Sequence, residues 1–328
     1  MTLSRRRLLS HATLAGAALA SSGLPLAALA QGGKTLRILV GFPPGGGSDA
    51  IARLLADRLK DVLGVPVVVE NRPGAGGQIA AQVLKTSVPD GNTLFFTHDH
   101  TISILPQVVK HPGFDPAQDF IGVGGVATFV NAFAVSGGTP ARSFGDYVAW
   151  VKAQGGKSAV GIPAPASTPE FLVKLVGERF KLDLVSAPYR GSAPMMGDML
   201  GNQIAAGVGS VPDFLENHRA GKLRIVAVLG EQRQAALPDV PTFGELGLKG
   251  FEDLPYYGFY APAGTPARAV QQFSDALAQV LARPDVREHL VALGLTVTPM
   301  TPQQLATRER AYTQAWTRII QASGFQPQ

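Results

Sequence analysis

A chain of 328 residues, 45% of them hydrophobic and with a formal net charge of +5, is long enough for two domains or one large one with its own core. It has no cysteine, which excludes disulfides, thiolate chemistry and a cysteine-linked lipid anchor. Three of its positive charges are Arg5, Arg6 and Arg7; without residues 1–30 the charge falls from +5 to +2. No basic run with interleaved aromatics is left, so no nucleic-acid partner is expected.

The first 30 residues read as a signal peptide. Ser4-Arg5-Arg6-Arg7-Leu8-Leu9 supplies a positive n-region, residues 12–26 are small and apolar, and Ala28-Leu29-Ala30 fits a small-x-small cleavage site before Gln31. Ser21, Ser22, Gly23 and Pro25 interrupt the apolar stretch, which is too short for a span of about 20 strongly apolar residues. The Ser-Arg-Arg-x-Leu-Leu string also resembles a twin-arginine signal, so twin-arginine and general secretory export both stand. Either route predicts a periplasmic protein.

Along the mature chain, short β-type runs alternate with amphipathic helices, which predicts an α/β architecture with mainly parallel sheets. Residues 36–40 form the first strand, and Gly41-Phe42-Pro43-Pro44-Gly45-Gly46-Gly47 the loop after it. Ser48 is expected to cap a helix carrying Ile51, Leu54, Leu55, Leu59, Val62 and Leu63 at helical spacing. Gly64 provides a left-handed stop before a strand at 65–69. The loop 71–77 opens a helix from Gln78 to about Lys85, and a turn at 89–92 leads to a strand at 93–97. Ser143/Asp146 and Ser167/Glu170 read as capping boxes for helices near 144–154 and 168–180. Strands are expected at 158–162, 183–187, 203–208 and 223–229. Thr265-Pro266 and Thr301-Pro302 are helix starts, the last helix running to about Ala322. The extended runs 130–135 and 256–261 read as crossings between lobes, giving lobe 1 as 31–130 plus 256–328 and lobe 2 as 131–255.

Three loops, 41–48, 71–77 and 163–168, each follow a strand and open a helix. In a parallel sheet they share the carboxyl edge where ligands bind, and each presents helix-start N–H groups suited to an anion. A tight turn without a ligand explains Gly45-Gly46-Gly47 equally well. The string matches neither G-x-G-x-x-G nor a P-loop, which argues against a nucleotide. Asp49 and Arg53, spaced i,i+4, fit a helix-surface pair.

From Gly41 to Arg53, and at Glu70-Asn71-Arg72-Pro73-Gly74-Ala75-Gly76-Gly77, Pro89-Asp90-Gly91, Pro188-Tyr189-Arg190-Gly191, Gly221-Lys222-Leu223-Arg224, Leu237-Pro238-Asp239-Val240-Pro241-Thr242 and Ala261-Pro262-Ala263-Gly264-Thr265-Pro266, the chain resembles the Bug family. These are the substrate-binding proteins of tripartite tricarboxylate transporters. The resemblance implies a type II periplasmic-binding-protein fold: two α/β lobes, joined by two hinge strands, closing on a small di- or tricarboxylate for delivery to the permease subunits of the transporter. It implies ligand contacts from Phe42, Pro43, Gly45, Gly46, Gly47 and Ser48, and from Ala75, Gly76, Gly77 and Gln78. The second lobe would add Pro165, Ala166, Ser167 and Thr168, with Tyr189, Arg190 and Ser210. Two departures stand out: Asn92 where the family usually has Tyr, and the segment 161–171, which leads into Phe171 where the family has a loop richer in Gly and Ser followed by His-Leu.

His98 and His100, spaced i,i+2 at a strand end, suit a carboxylate, a metal or a plain loop surface. No third ligand is near them in sequence, so no metal is expected, and His98 joins the candidate contacts. Phe42, Phe129, Phe171 and Tyr189 fit core or hinge packing, yet several sit in or beside the loops and make an aromatic diacid such as terephthalate a candidate ligand. No catalytic residue and no cofactor are expected: G-x-S-x-G, H-E-x-x-H and a cysteine nucleophile are missing. Gly207-Val208-Gly209-Ser210-Val211 only superficially resembles a nucleophile elbow, and Asp213 and His218 read as the surface of the next helix. A periplasmic hydrolase is therefore the weaker rival. A monomer feeding a membrane sensor instead of a permease uses the same capture step.

Overall fold

The computed structural model describes residues 35–249 and 253–327; the expected signal peptide and Gln31 lie outside them. The first unit forms as its pattern predicts. In β1 (Leu36–Val40) side chains alternate between faces, so Ile38 and Val40 pack with Leu55 and Leu59 while Leu39 packs with Phe95 on the opposite side. Helix α1 (Gly47–Leu63) ends at Gly64, whose φ of 66° allows its N–H to bond the Lys60 carbonyl at 3.0 Å. Then come β2 (Val67–Asn71), α2 (Gln78–Lys85) and β3 (Thr93–His98). A π-helical turn, His100–Ile104, runs into α3 (Leu105–Val108), followed by α4 (Pro116–Asp119), β4 (Phe120–Thr128) and β5 (Asn131–Ser136).

The middle of the chain carries α5 (Phe144–Ala153), β6 (Lys157–Ile162), α6 (Thr168–Phe180), β7 (Asp183–Pro188), α7 (Ser192–Leu200), β8 (Ala206–Ser210), α8 (Val211–Arg219) and β9 (Leu223–Val228). The C-terminal part returns through β10 (Tyr256–Pro262), α9 (Ala267–Ala282), α10 (Pro284–Ala292), β11 (Thr296–Met300) and α11 (Pro302–Ala322). Strand β8 begins later than the sequence suggested, because Asn202, at φ 57°, turns the chain after α7 before pairing starts.

Capping separates the starts that were read correctly from those that were not. Ser143/Asp146 and Thr301/Gln304 form reciprocal capping boxes. Ser48 does not cap α1, since Gly46 is the N-cap. Ser167 and Thr265 turn their hydroxyls back onto the Ala164 and Pro262 carbonyls at 2.6 and 2.8 Å, and Glu170 takes the Ala166 N–H. A short hydroxyl side chain that closes its own loop is no longer available to the helix.

Two sheets result. The larger has the order β11-β4-β10-β3-β1-β2 and the smaller β7-β6-β8-β5-β9. They are mixed, not mainly parallel: β10 runs antiparallel to β3 and β4, and β5 antiparallel to β8 and β9. Both strands are the ones that arrive from the other sheet, and so enter against the local direction. The chain crosses from β4 to β5 through Phe129 and Val130 and comes back through Leu254 and Pro255. The passages are tied together by the Phe129 N–H on the Pro255 carbonyl at 3.1 Å. Each sheet is covered by apolar clusters on both faces, as expected of an α/β layer. None of the described helices is long and apolar enough to cross a membrane.

Glu309, on α11, gives the fold a pH signature. Burial raises its carboxyl to about 7, against the opposing pull of the Arg310 charge. The folded chain therefore holds a proton that the unfolded chain releases near 4.5, and this contribution is present below that value and lost as pH rises through about 7. Glu309→Gln is expected to flatten the urea-denaturation stability profile between pH 5 and 8 and to stabilise the protein at pH 8. At about 1.4 kcal/mol per pKa unit the effect is at most about 3 kcal/mol. A wild-type profile that already lacks this slope would place the Glu309 carboxyl in ordinary solvent.

Candidate functional site

The two sheets face each other across a cleft lined from both sides. The larger-sheet side supplies Phe42, Pro43, Gly46, Gly47, Ser48, His98, Asp99, His100, Phe129 and Tyr257. The other supplies Asn131, Pro163, Ala164, Ser167, Thr168, Pro169, Ser192, Ser210 and Asp213. Four helix starts meet here, those of α1, α6, α7 and α8, and each brings a hydroxyl: Ser48, Thr168, Ser192 and Ser210. None of the lining residues is a lysine or an arginine. Positive potential in the cleft thus comes from unsatisfied backbone N–H groups and helix dipoles, the ordinary means of holding an anion at a helix start.

Asp49 braces the first loop. Its carboxylate, only 4% exposed, accepts from Gly45 N at 3.0 Å, Arg53 Nε at 3.0 Å and Asn71 Nδ2 at 2.9 Å. Asn71 Nδ2 also donates to the Phe42 carbonyl at 3.0 Å. Burial opposes ionisation of Asp49, but the hydrogen bonds from Arg53, Gly45 and Asn71 outweigh it and hold the carboxyl below its usual range. The Asp49–Arg53 pair is thus more than a surface pair, since it fixes the loop that starts α1.

The back wall is aromatic. Phe42 stacks on His98 with ring centroids 4.9 Å apart, and Phe129 lies 4.7 Å from Tyr257. Tyr257 lines the cleft with Ser48 and Ser210, one from each side, and burial raises the pKa of its hydroxyl. His100 is buried, and burial, aided by the charge of His98, lowers its pKa to about 3, so it stays neutral. The Nδ1 atoms of His98 and His100 are buried without a hydrogen-bond partner. Among the described residues no group of three metal-binding side chains is placed to hold an ion.

Nine of the sequence-derived candidates line this cleft: Phe42, Pro43, Gly46, Gly47, Ser48, His98, Ser167, Thr168 and Ser210. Ala75, Gly76, Pro165, Tyr189 and Arg190 line a neighbouring groove that shares Phe42 and Pro163 with it. Tyr189 donates its hydroxyl to Asp198 at 2.7 Å; burial, followed by that bond and the Asp198 charge, pushes its pKa up to about 12. Gly45, Gly77, Gln78 and Ala166 line neither. Gln78 donates to the Pro112 carbonyl at 3.0 Å, and Ala166 packs in the apolar cluster of Phe171.

The glycine requirement at Gly77 comes from packing. Its φ is 94°, and a Cβ there would meet Thr101 Oγ1 at 2.5 Å. Asp99, His100, Phe129, Asn131, Ser192, Asp213 and Tyr257 line the cleft without having been singled out as contacts. Tyr257 and Phe129 looked like hinge residues, and Asp213 like helix surface. Ser210 and Asp213 are paired at 2.6 Å, but His218 accepts from Ile225 N at 3.1 Å, so no serine–histidine pair is assembled.

Two α/β layers flanking a cleft of helix starts are the architecture of a binding protein for a small ligand. A family model described as "Tripartite tricarboxylate transporter family receptor" matches residues 51–325, and the chain belongs to that family of substrate-binding receptors. It is similar to the protein BugT of Bordetella pertussis, 31% identical over 94% of this chain and 96% of that one. Among solved structures, the periplasmic binding protein BugD has 29% identity, a TM-score of 0.84 and coverage of 90% of this chain and 99% of that one. Rpa4515 of R. palustris, solved with adipate, has 27% identity, a TM-score of 0.85 and coverage of 90% and 98%.

Proposed function

We propose that this protein captures a small di- or tricarboxylate in the periplasm and delivers it, as a monomer and without a cofactor, to the permease subunits of a tripartite tricarboxylate transporter. The observation that carries the reading is the convergence of four hydroxyl-bearing helix starts on one cleft that no lysine or arginine lines. Such a site holds carboxylates by backbone N–H and hydroxyl donors. Lobes 31–130 plus 256–328 and 131–255 close about the paired passages at Phe129 and Pro255. One ligand carboxylate meets the start of α1, and the other the starts of α6 and α7. The adipate in the R. palustris relative supports a two-ended ligand, and the Phe42, Phe129 and Tyr257 wall supports an aromatic one such as terephthalate.

Calorimetric titration with C4–C6 dicarboxylates, citrate, acidic amino acids and phthalates tests this. Micromolar or tighter binding of at least one dicarboxylate is expected. Tight binding of a neutral sugar with no response to any carboxylate would end the assignment.

A further inference from the structure

A carboxylate already sits at the start of α1, and it belongs to the protein. Asp213 stands in the first turn of α8, on the smaller-sheet lobe. Its Oδ2 accepts locally, from Ser210 N at 3.1 Å and Ser210 Oγ at 2.6 Å. Its Oδ1 reaches across the cleft and accepts from Gly47 N at 3.0 Å, 166 positions away. Gly47 is the first residue of α1, so this N–H is one of the helix-start donors that an incoming anion needs. No lysine or arginine lines the cleft to neutralise Asp213; two helix starts do so instead.

The cavity beside this contact is about 50 Å³, room for a few waters. A second carboxylate does not fit at Gly47 N while Asp213 is there. We infer that Asp213 is a tethered competitor: it holds the unliganded lobes together and must be displaced by the ligand. The inference rests on the carboxylate-receptor reading for its ligand class, and it makes Asp213 a built-in brake on carboxylate affinity. A monocarboxylate that displaces Asp213 replaces one carboxylate by another at α1 and gains little. A dicarboxylate makes the same exchange and adds new bonds at α6 and α7, neither of which has a side-chain cap. The cost of displacing Asp213 is common to both, so the internal carboxylate lowers the affinity for one-ended and two-ended acids alike.

The test pairs two measurements on Asp213→Ser, which is too short to reach Gly47, and on Asp213→Asn, which keeps an acceptor for Ser210 and replaces a charged bond by a weaker neutral one. Thermal melting verifies that each variant is folded. Small-angle X-ray scattering of the unliganded proteins is expected to show compact wild type, an expanded Asp213→Ser, and a smaller expansion for Asp213→Asn. Calorimetry with the matched pairs terephthalate and benzoate, and adipate and hexanoate, is expected to show each acid that binds wild type binding Asp213→Ser at least tenfold more tightly.

Unliganded variants as compact as wild type would overturn the inference. So would carboxylate affinities unchanged in Asp213→Ser, because nothing would then have been displaced, or a loss of all carboxylate binding confined to the variants, because Asp213 would then be a ligand contact. If scattering responds as expected but no carboxylate binds even the wild type, the interlobe contact stands and the receptor reading fails.

Discussion

Gly47→Val is expected to weaken ligand binding at least 100-fold, roughly 2.7 kcal/mol, while the protein remains folded. A Cβ on Gly47 would meet Asp213 Oδ1 at 3.1 Å, Pro212 Cβ at 3.2 Å and Ser210 Oγ at 3.7 Å. All three atoms belong to α8 and the strand end before it, on the opposite lobe. The valine methyl groups project further still, so they crowd the seat of a ligand carboxylate at the start of α1 and block closure over it. Within its own lobe the change is mild. Gly47 is not among the glycines with positive φ, and a β-branched residue in a helix costs only a few tenths of a kcal/mol relative to its neighbours on the propensity scale. The obstruction is therefore to closure and not to folding. Isothermal titration beside a thermal melt separates the two, and an affinity equal to wild type would remove the start of α1 from the binding site.

Phe171→Ala is the second large effect. Phe171 is 8% exposed and lies on α6, but its ring packs 5.4 Å from Trp316 on α11 and 5.8 Å from Phe325. Nearby, Lys174 Nζ donates to the Ser323 carbonyl at 3.3 Å. This is an apolar clasp between lobes on one flank of the cleft. On the opposite flank, Arg219 Nη1 donates to the Ala292 carbonyl at 2.9 Å. Truncating a buried phenylalanine typically costs about 3–5 kcal/mol, and here the loss falls on the closed form, where the ring is covered. Ligand affinity is expected to fall tenfold or more, and tryptophan emission of the unliganded protein to shift to longer wavelength. The other tryptophan, Trp150, is on α5, away from the clasp, so the shift reports Trp316. Unchanged emission together with unchanged affinity would show that the rings do not meet in solution.

That second result bears on how far the sequence could be read. The segment 161–171 stood out because it leads into Phe171 where a His-Leu pair is usual, and ligand selection was the natural reading. The structure sends its parts in different directions. Ser167 and Thr168 face the cleft, Ala166 and Phe171 join the apolar cluster of Trp316, and Pro165 lines the neighbouring groove. Contacts between residues 145 positions apart leave no trace in local pattern.

Elements whose causes are local were legible: the alternation in β1, the Gly64 stop, the Ser143 capping box and the three loops after strands. Strand direction in β5 and β10 was not, because it depends on which sheet each strand enters. For the same reason Tyr257 and Asp213 were placed on a hinge and on a helix surface, although both end up facing Ser210. The glycines of 74–77 were legible as glycines but not as packing glycines, since the clash that demands Gly77 comes from Thr101, a neighbour only after β3 has paired with β1.

The division of the four helix starts between lobes has a consequence for unloading. One belongs to the larger-sheet lobe and three to the smaller, so they surround one cleft only when the halves meet. A lysine or arginine would follow its anion outward as the lobes part, because a long side chain swings with its partner. Backbone N–H groups cannot. Once the halves separate, a cargo spanning them must let go at one end, and the remaining end faces water. On the proposed function, a membrane partner that merely pried the lobes apart would weaken the grip without supplying a competing charge, and release would need no chemistry of its own.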